Sequence, residues 1–463
     1  MNAVLLIDFG STYTKLTAVD LDEEIILGTA SAYTTVQTDI NEGLQEGLKR
    51  LEEKTGKLEF SQCFACSSAA GGLRMATSGL VPELTGEAAK LASLGAGAKV
   101  VGVYAFELTE DDLEDIQASK PDIFLLVGGT DGGNTACILH NARMLATIDG
   151  TFPIVVAGNR TAARECKRIL EGREVYICPN VMPKFGVLQI EPTQKQIREI
   201  FLNRIIQAKG LSKVTGLLSD IIMPTPSAVL QAMNLLAQGC EAEPGIGDLV
   251  AVDVGGATTD VYSIADGMPE HMNTVYKGLP EPYAKRTVEG DIGMRYSIQG
   301  ILDAAGEGRI SRLSGLSVQR IQSLVAELRK NTDKVPNGDA ELEALDFALA
   351  SCAIEEAVRR HAGTILETYT MMGQTFVQEG KNLTNVKQIV VTGGSLIHTR
   401  RTAEIAAHAC YSPSHPDSLC PKAASVWVDR TYILAAMGLL SSYYPQTALR
   451  IMKKELEFYG YSE

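Results

Sequence analysis

Residues 248–264, DLVAVDVGGATTDVYSI, contain an apolar run, an aspartate, two glycines, two threonines and a second apolar run. This pattern predicts a strand, a tight glycine turn and a returning antiparallel strand. Residues 5–16, LLIDFGSTYTKL, show the same order of residue types near the start of the chain. The internal similarity predicts two structurally similar halves, each with a hairpin whose tip exposes backbone N–H groups and hydroxyls.

A third apolar run, 388–392, ends in Gly393, Gly394 and Ser395. Glycines let the backbone approach an anion closely, and several N–H groups can then converge on that anion. Each glycine turn is a weak signal by itself, because a strand that ends in two glycines is commonly just a turn. The three turns together, in this order, predict a phosphate-binding constellation.

These three segments resemble, in the same order, the two phosphate loops and the adenosine loop of the actin-like ATPase superfamily, which includes DnaK-type chaperones, sugar kinases and FtsA. Residues 221–236, IIMPTPSAVLQAMNLL, and 429–440, DRTYILAAMGLL, are similar to the paired connecting helices of that superfamily. Residues 287–295, TVEGDIGMR, resemble the segment after the second phosphate loop in chaperone-type members. The resemblance implies an α/β fold class, namely a two-lobed actin-like ATPase (ribonuclease H-like) fold.

Strands alternate with helices between about residues 60 and 185, which predicts an inserted α/β subdomain with a small parallel sheet. The expected division is a first lobe at 1–245 that contains this insert, and a second lobe at 246–463 with the adenosine loop and the C-terminal helices. Helices are expected from about 291 to 380, and an amphipathic helical tail at about 447–459.

The resemblance implies that ATP or ADP lies between the two lobes together with Mg²⁺. Asp8 and Asp253 would be the catalytic and metal-binding residues, facing each other across Mg²⁺ through its waters, since Mg²⁺ dehydrates reluctantly. Lys15 could reach a phosphate, or it could be an ordinary exposed strand residue, and both interpretations stay open. The predicted nucleotide-binding residues are Gly10, Ser11, Thr12, Lys15, Gly255, Gly256, Thr258, Thr259, Gly393, Gly394 and Ser395.

One departure from the superfamily bears on catalysis. Chaperone-type members carry a glutamate at the start of the helix before the second phosphate loop, and that carboxylate contributes to hydrolysis. The alignment places Pro224 there, and proline cannot act as an acid, a base or a metal ligand. Any ATPase activity is therefore expected to be slow or to depend on a partner.

Longer stretches point to one family within the superfamily. They resemble the MutL family encoded with adenosylcobalamin-dependent glutamate mutase, which is unrelated to the mismatch-repair family of the same name. That resemblance implies an accessory, reactivating or chaperone-like partner of this mutase or a related aminomutase. The stretches are FACSSAAGGLRM (64–75), GLVPELTGEAAKLASLGAGAKV (79–100), FLLVGGTDGGN (124–134), ICPNVMP (177–183) and GDLVAVDVGGATTDVYS (247–263).

The composition excludes one class of function. The 463 residues carry a formal net charge of −14, which argues against nucleic-acid binding because that binding depends on clustered Lys and Arg. The start lacks the basic flank of a signal peptide, and the apolar runs 221–240 and 431–449 are interrupted by polar residues and prolines. We therefore expect a cytoplasmic location and no membrane association, with a homodimer as one open arrangement.

Several alternatives stay open. A nucleotide-gated scaffold of the FtsA type is compatible with the missing glutamate and the amphipathic tail. A small-molecule kinase would need a carboxylate base, for which Asp220 and Asp291 are the candidates. The GGTDGGN motif could bind a phosphate or a substrate group, with Asp131 as its polar residue, or could simply connect a strand to a helix. The pair Cys63 and Cys66 is expected to be buried rather than metal-binding, because no second CxxC accompanies it.

Overall fold

The computed structural model describes residues 2–10, 13–34, 40–68, 73–208, 220–270, 272–371 and 373–461. The chain divides into two compact units. The first unit contains Met1–Ala232, Gly278–Pro280 and Ile433–Ile451, and the second contains Met233–Lys277, Glu281–Tyr432 and Met452–Glu463.

The strands and helices follow one another along the whole chain. The strands are β1 (Ala3–Phe9), β2 (Tyr13–Asp20), β3 (Ile25–Tyr33), β4 (Phe60–Ser67), β5 (Leu73–Gly79), β6 (Ala98–Ala105), β7 (Ile123–Leu126), β8 (Ile154–Val156), β9 (Val175–Ile177), β10 (Asp220–Pro224), β11 (Gly239–Cys240), β12 (Glu243–Pro244), β13 (Leu249–Val254), β14 (Thr259–Ile264), β15 (Thr274–Lys277), β16 (Ala284–Glu289), β17 (Thr364–Thr370), β18 (Gly373–Glu379), β19 (Gln388–Thr392), β20 (Ser425–Val428) and β21 (Glu457–Tyr461). The helices are α1 (Ile40–Thr55), α2 (Glu87–Gly95), α3 (Glu110–Ser119), α4 (Ala136–Thr147), α5 (Ala163–Ile169), α6 (Glu191–Ala208), α7 (Thr225–Gln238), α8 (Ile298–Ala305), α9 (Glu307–Ser314), α10 (Val318–Lys330), α11 (Ala340–His361), α12 (Gly394–Ile397), α13 (Thr402–Ala407), α14 (Leu434–Ser441) and α15 (Pro445–Glu455), with a π-helical turn at Pro82–Gly86 before α2.

The main sheet of the first unit has the order β3-β2-β1-β4-β10. β1, β2 and β3 pair antiparallel, whereas β4 and β10 run parallel to β1. All seven residues of β1 are buried. A strand buried on both faces reads as a continuous apolar run, which is why AVLLIDF does not alternate.

The main sheet of the second unit repeats this arrangement. Its order is β16-β14-β13-β19-β20-β21, with β13, β14 and β16 antiparallel and with β19 and β20 parallel to β13. The first five strands therefore match the five of the first unit in order and direction. The predicted α/β fold class with two similar halves is confirmed.

A third sheet belongs to the inserted segment of the first unit. Its order is β6-β5-β7-β8-β9, and every pair in it is parallel. β4 lies instead in the main sheet, paired with β1. The inserted sheet therefore begins with β5 at Leu73, rather than at about residue 60. The reason is that β4 is hydrogen-bonded to β1 and so belongs to the main sheet.

The sequence-based boundary at 245 assigned the C-terminal helices to the second lobe, whereas Ile433–Ile451 packs with the first unit. All eight residues of α14 are buried, so this helix has no polar face to turn toward water. It contacts β1 and β4, and the ring of Tyr443 just after it stacks on Phe64 with centroids 4.6 Å apart. No local pattern could indicate this placement, because the contacts join residues that are far apart in the sequence.

Two helical expectations are wrong. Residues 364–370 and 373–379 form β17 and β18, which with β15 make a small sheet, and residues 457–461 form β21 at the end of the tail. β-Branched and aromatic residues are common in TILETYT and in GQTFVQE, a composition that favours strands over helices. Among the described residues, none of the helices combines the length and the apolar character that a membrane crossing needs.

His361, the last residue of α11, is fully buried in the second unit. Its Nε2 atom lies 2.7 Å from the Ser263 hydroxyl, and its Nδ1 atom lies 2.8 Å from the Thr287 hydroxyl. Burial, aided by the charges of Lys285 and Lys381, holds the pKa of His361 well below its usual value. The folded protein therefore keeps this imidazole neutral.

We expect the stability of the second unit to fall as the pH drops below about 6.5, the pKa of an exposed histidine. In that range the unfolded chain binds a proton that folded His361 does not, so the free energy of unfolding decreases by at most about 1.4 kcal/mol per pH unit. Urea unfolding at several pH values measures this slope. His361→Gln, which cannot titrate, should show a smaller slope, and equal slopes would contradict the assignment.

Candidate nucleotide-binding site

The first glycine turn closes the hairpin of β1 and β2. Asp8 is paired with Lys15 across this hairpin. The N–H of Gly10 donates to the carbonyl of Tyr13 at 3.1 Å, and a Cβ atom on Gly10 would lie 2.5 Å from that oxygen. A side chain does not fit at position 10, so the turn requires the glycine that the sequence analysis singled out.

Asp8 is held by side chains from two neighbouring segments. Thr225, the first residue of α7, donates its hydroxyl to Oδ1 of Asp8 at 2.5 Å. The thiol of Cys66, on β4, donates to the same oxygen at 3.5 Å. Burial, reinforced by the charge of Asp8, raises the pKa of the Cys66 thiol well above its usual value, so it stays protonated. The orientation of the carboxylate is thus fixed by the protein.

The second glycine turn, between β13 and β14, has the same construction. The N–H of Gly255 donates to the carbonyl of Thr258 at 3.0 Å, and a Cβ atom on Gly255 would lie 2.8 Å from that oxygen. Asp253 is paired with Asp260 across the hairpin. Asp253 therefore stands two residues before its glycine and at the same register position as Asp8.

The segment after β16 braces this second turn. The carbonyl of Gly256 accepts the N–H groups of Arg295 at 2.9 Å and Tyr296 at 2.8 Å. A Cβ atom on Gly293 would lie 2.4 Å from the carbonyl carbon of Ala257. These contacts give TVEGDIGMR a structural task, which is to fix the backbone of the turn while Gly256 and Ala257 stay exposed.

The predicted hydroxyl contacts are placed unequally. Thr259 is fully buried, and its hydroxyl donates to the carbonyl of Ile292 at 3.1 Å, so it supports the turn from inside. This corrects the expectation that Thr259 reaches a phosphate, and the reason is that β14 begins there with an inward-facing residue. Thr258 is half-buried at the turn. Ser11 and Thr12 lie outside the described residues.

The third glycine turn follows β19. Gly393 has a φ of +107°, and a Cβ atom there would lie 2.4 Å from the carbonyl oxygen of Val254. Gly394 is exposed, and a Cβ atom on it would lie 3.5 Å from the hydroxyl of Tyr432. The Oγ atom of Ser395 is shielded from solvent and has no hydrogen-bond partner among the described residues. An enclosed hydroxyl of this kind can be satisfied by a ligand.

Polar residues that the sequence analysis did not single out follow the last parallel strand of each main sheet. Thr225 follows β10 in the first unit, and Asp429 follows β20 in the second. Asp429 is 1% exposed, and the hydroxyl of Thr392 donates to it at 3.5 Å. Burial, with the charges of Asp253 and Asp429, raises the pKa of Tyr432. The signal that could have found them is their position at the carboxyl ends of parallel strands, where ligand sites concentrate.

The start of α7 offers no carboxylate for hydrolysis, since Met223 and Pro224 close β10 directly before Thr225. The side chain of Asp220 lies outside the described residues. Asp291 pairs with Arg360 at 2.7 Å, and this ion pair lowers the pKa of Asp291. A carboxylate that is bonded to arginine and has a lowered pKa is a poor general base, because its affinity for a proton is weak.

The GGTDGGN motif leads from β7 into α4. The side-chain amide of Asn180 donates to the carbonyl of Gly129 and to Oδ1 of Asp131, both at 3.0 Å. The amide of Asn159 donates to the carbonyls of Gly133 and Asn134, both at 3.1 Å. These bonds give Asp131 a structural task, which favours the strand-to-helix connection over a phosphate site.

Cys63 and Cys66 are both buried on β4, three residues apart and therefore on opposite faces of the strand. Within the part of the chain that the structure describes, no group of three or more His, Cys, Asp or Glu side chains is arranged to hold a metal ion. A site for Mg²⁺ needs fewer protein ligands than that, because this ion retains waters and binds phosphate oxygens.

Comparison with known proteins adds the family. Residues 4–456 match the model of the family described as MutL protein. Protein MutL of Clostridium tetanomorphum is 46% identical over 460 residues, covering 98% of this chain and 99% of that protein.

Solved structures are more distant. The xylulose kinase of Lactobacillus acidophilus with bound ligand has a TM-score of 0.37 and 13% identity, covering 100% of this chain and 93% of that one. Diol dehydratase-reactivating factor in its nucleotide-free form has a TM-score of 0.37 and 12% identity, covering 96% of this chain and 100% of that one. The family match, which extends over nearly the whole chain, and the identity to Protein MutL together show that this chain belongs to the MutL protein family.

Proposed function

We propose that this protein binds ATP or ADP with Mg²⁺ and serves as an accessory, reactivating factor for an adenosylcobalamin-dependent glutamate mutase or a related aminomutase. The observation that carries the nucleotide part is the duplicated turn. Asp8 and Asp253 occupy the same register position, and Gly10 and Gly255 make the same backbone hydrogen bond at 3.1 and 3.0 Å. The mutase part rests on membership of the MutL family and on the resemblance of that family to mutase accessory proteins.

Both glycine turns would contribute to binding the phosphates. In this proposal backbone N–H groups near Gly10 and from Gly256 to Thr258 bind phosphate oxygens, because the glycines leave room for an anion to approach. The N–H of Gly255 is bonded to the carbonyl of Thr258 and shapes the turn. Asp8 and Asp253 bind Mg²⁺ through its waters, and bound Mg²⁺ neutralises phosphate charge. The segment 393–395 would bind the nucleoside, with the enclosed Ser395 hydroxyl as one polar contact.

Because the carboxylate is missing at the start of α7, nucleotide hydrolysis has less support than nucleotide binding. The proposal is therefore a protein whose bound nucleotide sets its state, with ATP turnover that is slow or is completed by a partner. A ligand can shift a conformational equilibrium only by its differential affinity for the two states. The lobe closure implied by the resemblance is part of this proposal, and X-ray scattering in solution with and without Mg-ATP tests it.

We expect this protein to restore a mutase that has lost activity during turnover. The inactivated glutamate mutase is mixed with this protein, ATP, Mg²⁺ and fresh coenzyme, and mutase turnover is then measured. Activity should return only when both ATP and Mg²⁺ are present. In the proposal, the binding of Mg-ATP by this protein supplies the free energy that opens the inactivated mutase complex.

The matched control is the same mixture with ADP in place of ATP. Absence of recovery with ATP would remove the reactivation claim, and equal recovery with ADP would remove its dependence on ATP. Calorimetry of the isolated protein with ATP and ADP keeps the nucleotide claim separate, since binding can persist when reactivation fails.

The alternatives have less support. A membrane-recruited scaffold would use the apolar side of α15, yet Leu449, Met452 and the adjoining Leu456 are buried. A kinase would need a free carboxylate, and Asp291 is bound to Arg360. Sedimentation with liposomes and nucleotide tests the scaffold, and phosphoryl transfer to candidate sugars tests the kinase.

A further inference from the structure

A glycine turn of the inserted subdomain touches the start of α7. Gly97, between α2 and β6, is buried and has a φ of +90°. A Cβ atom on Gly97 would lie 2.7 Å from the Oγ atom of Ser227 and 3.0 Å from the Cβ atom of Pro224. The backbone of the inserted subdomain therefore packs directly on the first turn of α7, with no room for a methyl group between them.

The residue between these two contacts is the one that holds Asp8. Thr225 follows Pro224, and its hydroxyl donates to Oδ1 of Asp8 at 2.5 Å. Pro224 is rigid because its ring fixes φ, and it ends the strand β10 that pairs with β4. Because the packing leaves no free space, a displacement of Gly97 also displaces Thr225. Thr225 in turn orients the carboxylate of Asp8.

A second backbone contact also constrains the position of α7. A Cβ atom on Gly438 of α14 would lie 1.8 Å from the carbonyl oxygen of Ala228, so the two helices are in backbone contact. The first turn of α7 is thus enclosed by Gly97 and by α14, all within the first unit. Interfaces packed this tightly respond to a push by shifting as a body, because close-packed interiors transmit strain.

We propose that the contact of Gly97 with Pro224 and Ser227 couples the inserted subdomain to the Asp8 site, so that a displacement of the inserted subdomain changes the affinity for Mg-nucleotide. Thr225 is the positioning residue in this path, and it acts through Asp8. The inference rests on the proposed nucleotide function, which it extends by naming the route of regulation. By linkage, bound Mg-nucleotide must shift the position of the inserted subdomain with the same coupling free energy.

The chain offers a matched pair of glycines for the test. Gly172, between α5 and β9 of the same inserted sheet, has a φ of +91°, but a Cβ atom there would have nothing within 4 Å. Gly97→Ala and Gly172→Ala therefore impose the same left-handed backbone strain on the same subdomain. Only Gly97→Ala also presses on the start of α7.

The measurement is the affinity of the full-length protein for Mg-ADP by calorimetry, with thermal unfolding as the fold control. Gly97→Ala should weaken Mg-ADP binding by about fivefold or more, the lower end of measured coupling between sites, whereas Gly172→Ala should bind as the unmodified protein does. The double variant Gly97→Ala/Ser227→Ala removes the Oγ atom that the new methyl meets, and it should regain affinity. Equal affinities of the two glycine variants would overturn the coupling.

Thr225 supplies a second readout that general destabilisation would not give. Thr225→Val removes the donor to Asp8 and should weaken ADP binding in the presence of Mg²⁺ while leaving Mg-free ADP binding unchanged; Thr225→Ser should restore the Mg²⁺ dependence. Equal loss in both conditions would make Thr225 merely structural and overturn the path. Absence of ADP binding by the unmodified protein would overturn the proposed function and the coupling together, whereas normal binding with no effect of Gly97→Ala overturns the coupling alone.

Discussion

Asp8→Asn is expected to abolish Mg²⁺-dependent binding of ATP and ADP while leaving the fold intact. Asparagine has the same shape and keeps an oxygen that can accept the hydroxyl of Thr225, so the packing at the end of β1 is preserved. The charge is lost, and Asp8 is only 8% exposed, so water screens it poorly. Two unit charges about 4 Å apart interact with about 4 kcal/mol at an effective dielectric constant of about 20. Allowing for the waters of Mg²⁺, we expect at least about a hundredfold loss of affinity.

Calorimetry with ADP, in the presence of Mg²⁺ and of chelator, measures this effect. Glu52→Gln, which removes an exposed charge from α1, is the control and should bind normally. Asp253→Asn should behave as Asp8→Asn does, because the two aspartates occupy the same register position. A loss in only one of the two variants would show that the duplicated turns do not share the metal.

The net charge of −14 constrains how such a protein can bind a polyanion. The first and second glycine turns carry no arginine, and Lys15 lies opposite Asp8 on the neighbouring strand. In the proposed function, phosphate binding at these turns would therefore depend on backbone N–H groups and on a bound cation, rather than on basic side chains. Under this proposal nucleotide affinity would depend on Mg²⁺ and on the backbone path of the turns, and substitutions at Gly97 and Gly438 would change it through the start of α7.

The hairpins could be predicted from the sequence because their signals are local. An apolar run, an aspartate and a glycine turn lie within a dozen residues, and Gly10 and Gly255 are required by contacts only three residues away. Thr225 could not be found in this way, since its bond to Asp8 joins positions 217 residues apart. The hydroxyl of Thr259 was misassigned for a related reason, because its burial depends on Ile292 in a distant segment.

The extent of the inserted subdomain was missed for a reason of tertiary packing. β4 and β5 are consecutive strands, and the short stretch SSAAGG at 67–72 does not indicate that the two strands join different sheets. β4 pairs with β1 and β10, whereas β5 joins the inserted sheet. β17 and β18 were taken for helix because four helices precede them between residues 298 and 361, and a change of period over two seven-residue strands is a weak signal.

Gly438→Ala is expected to destabilise the protein strongly, although alanine is the better helix former. Gly438 lies inside α14, where replacing glycine by alanine normally gains about 1 kcal/mol. Here a Cβ atom would lie 1.8 Å from the carbonyl oxygen of Ala228, and the obstacle is backbone on α7, which cannot rotate away. The helices must separate, and overpacking of this kind costs about 1–3 kcal/mol or more, so the net change is a loss.

Gly308→Ala is the matched control, because Gly308 lies in α9 and a Cβ atom there would have nothing within 4 Å. That variant should be neutral or slightly more stable, so the same substitution in two helices should change the free energy of unfolding in opposite directions. Urea unfolding of both variants, followed by circular dichroism, measures the difference. Because α7 begins at Thr225, the separation should also disturb Asp8, and Gly438→Ala should weaken Mg-ADP binding under conditions where it is still folded. A stable Gly438→Ala that binds Mg-ADP normally would show that α7 and α14 can separate without moving Thr225.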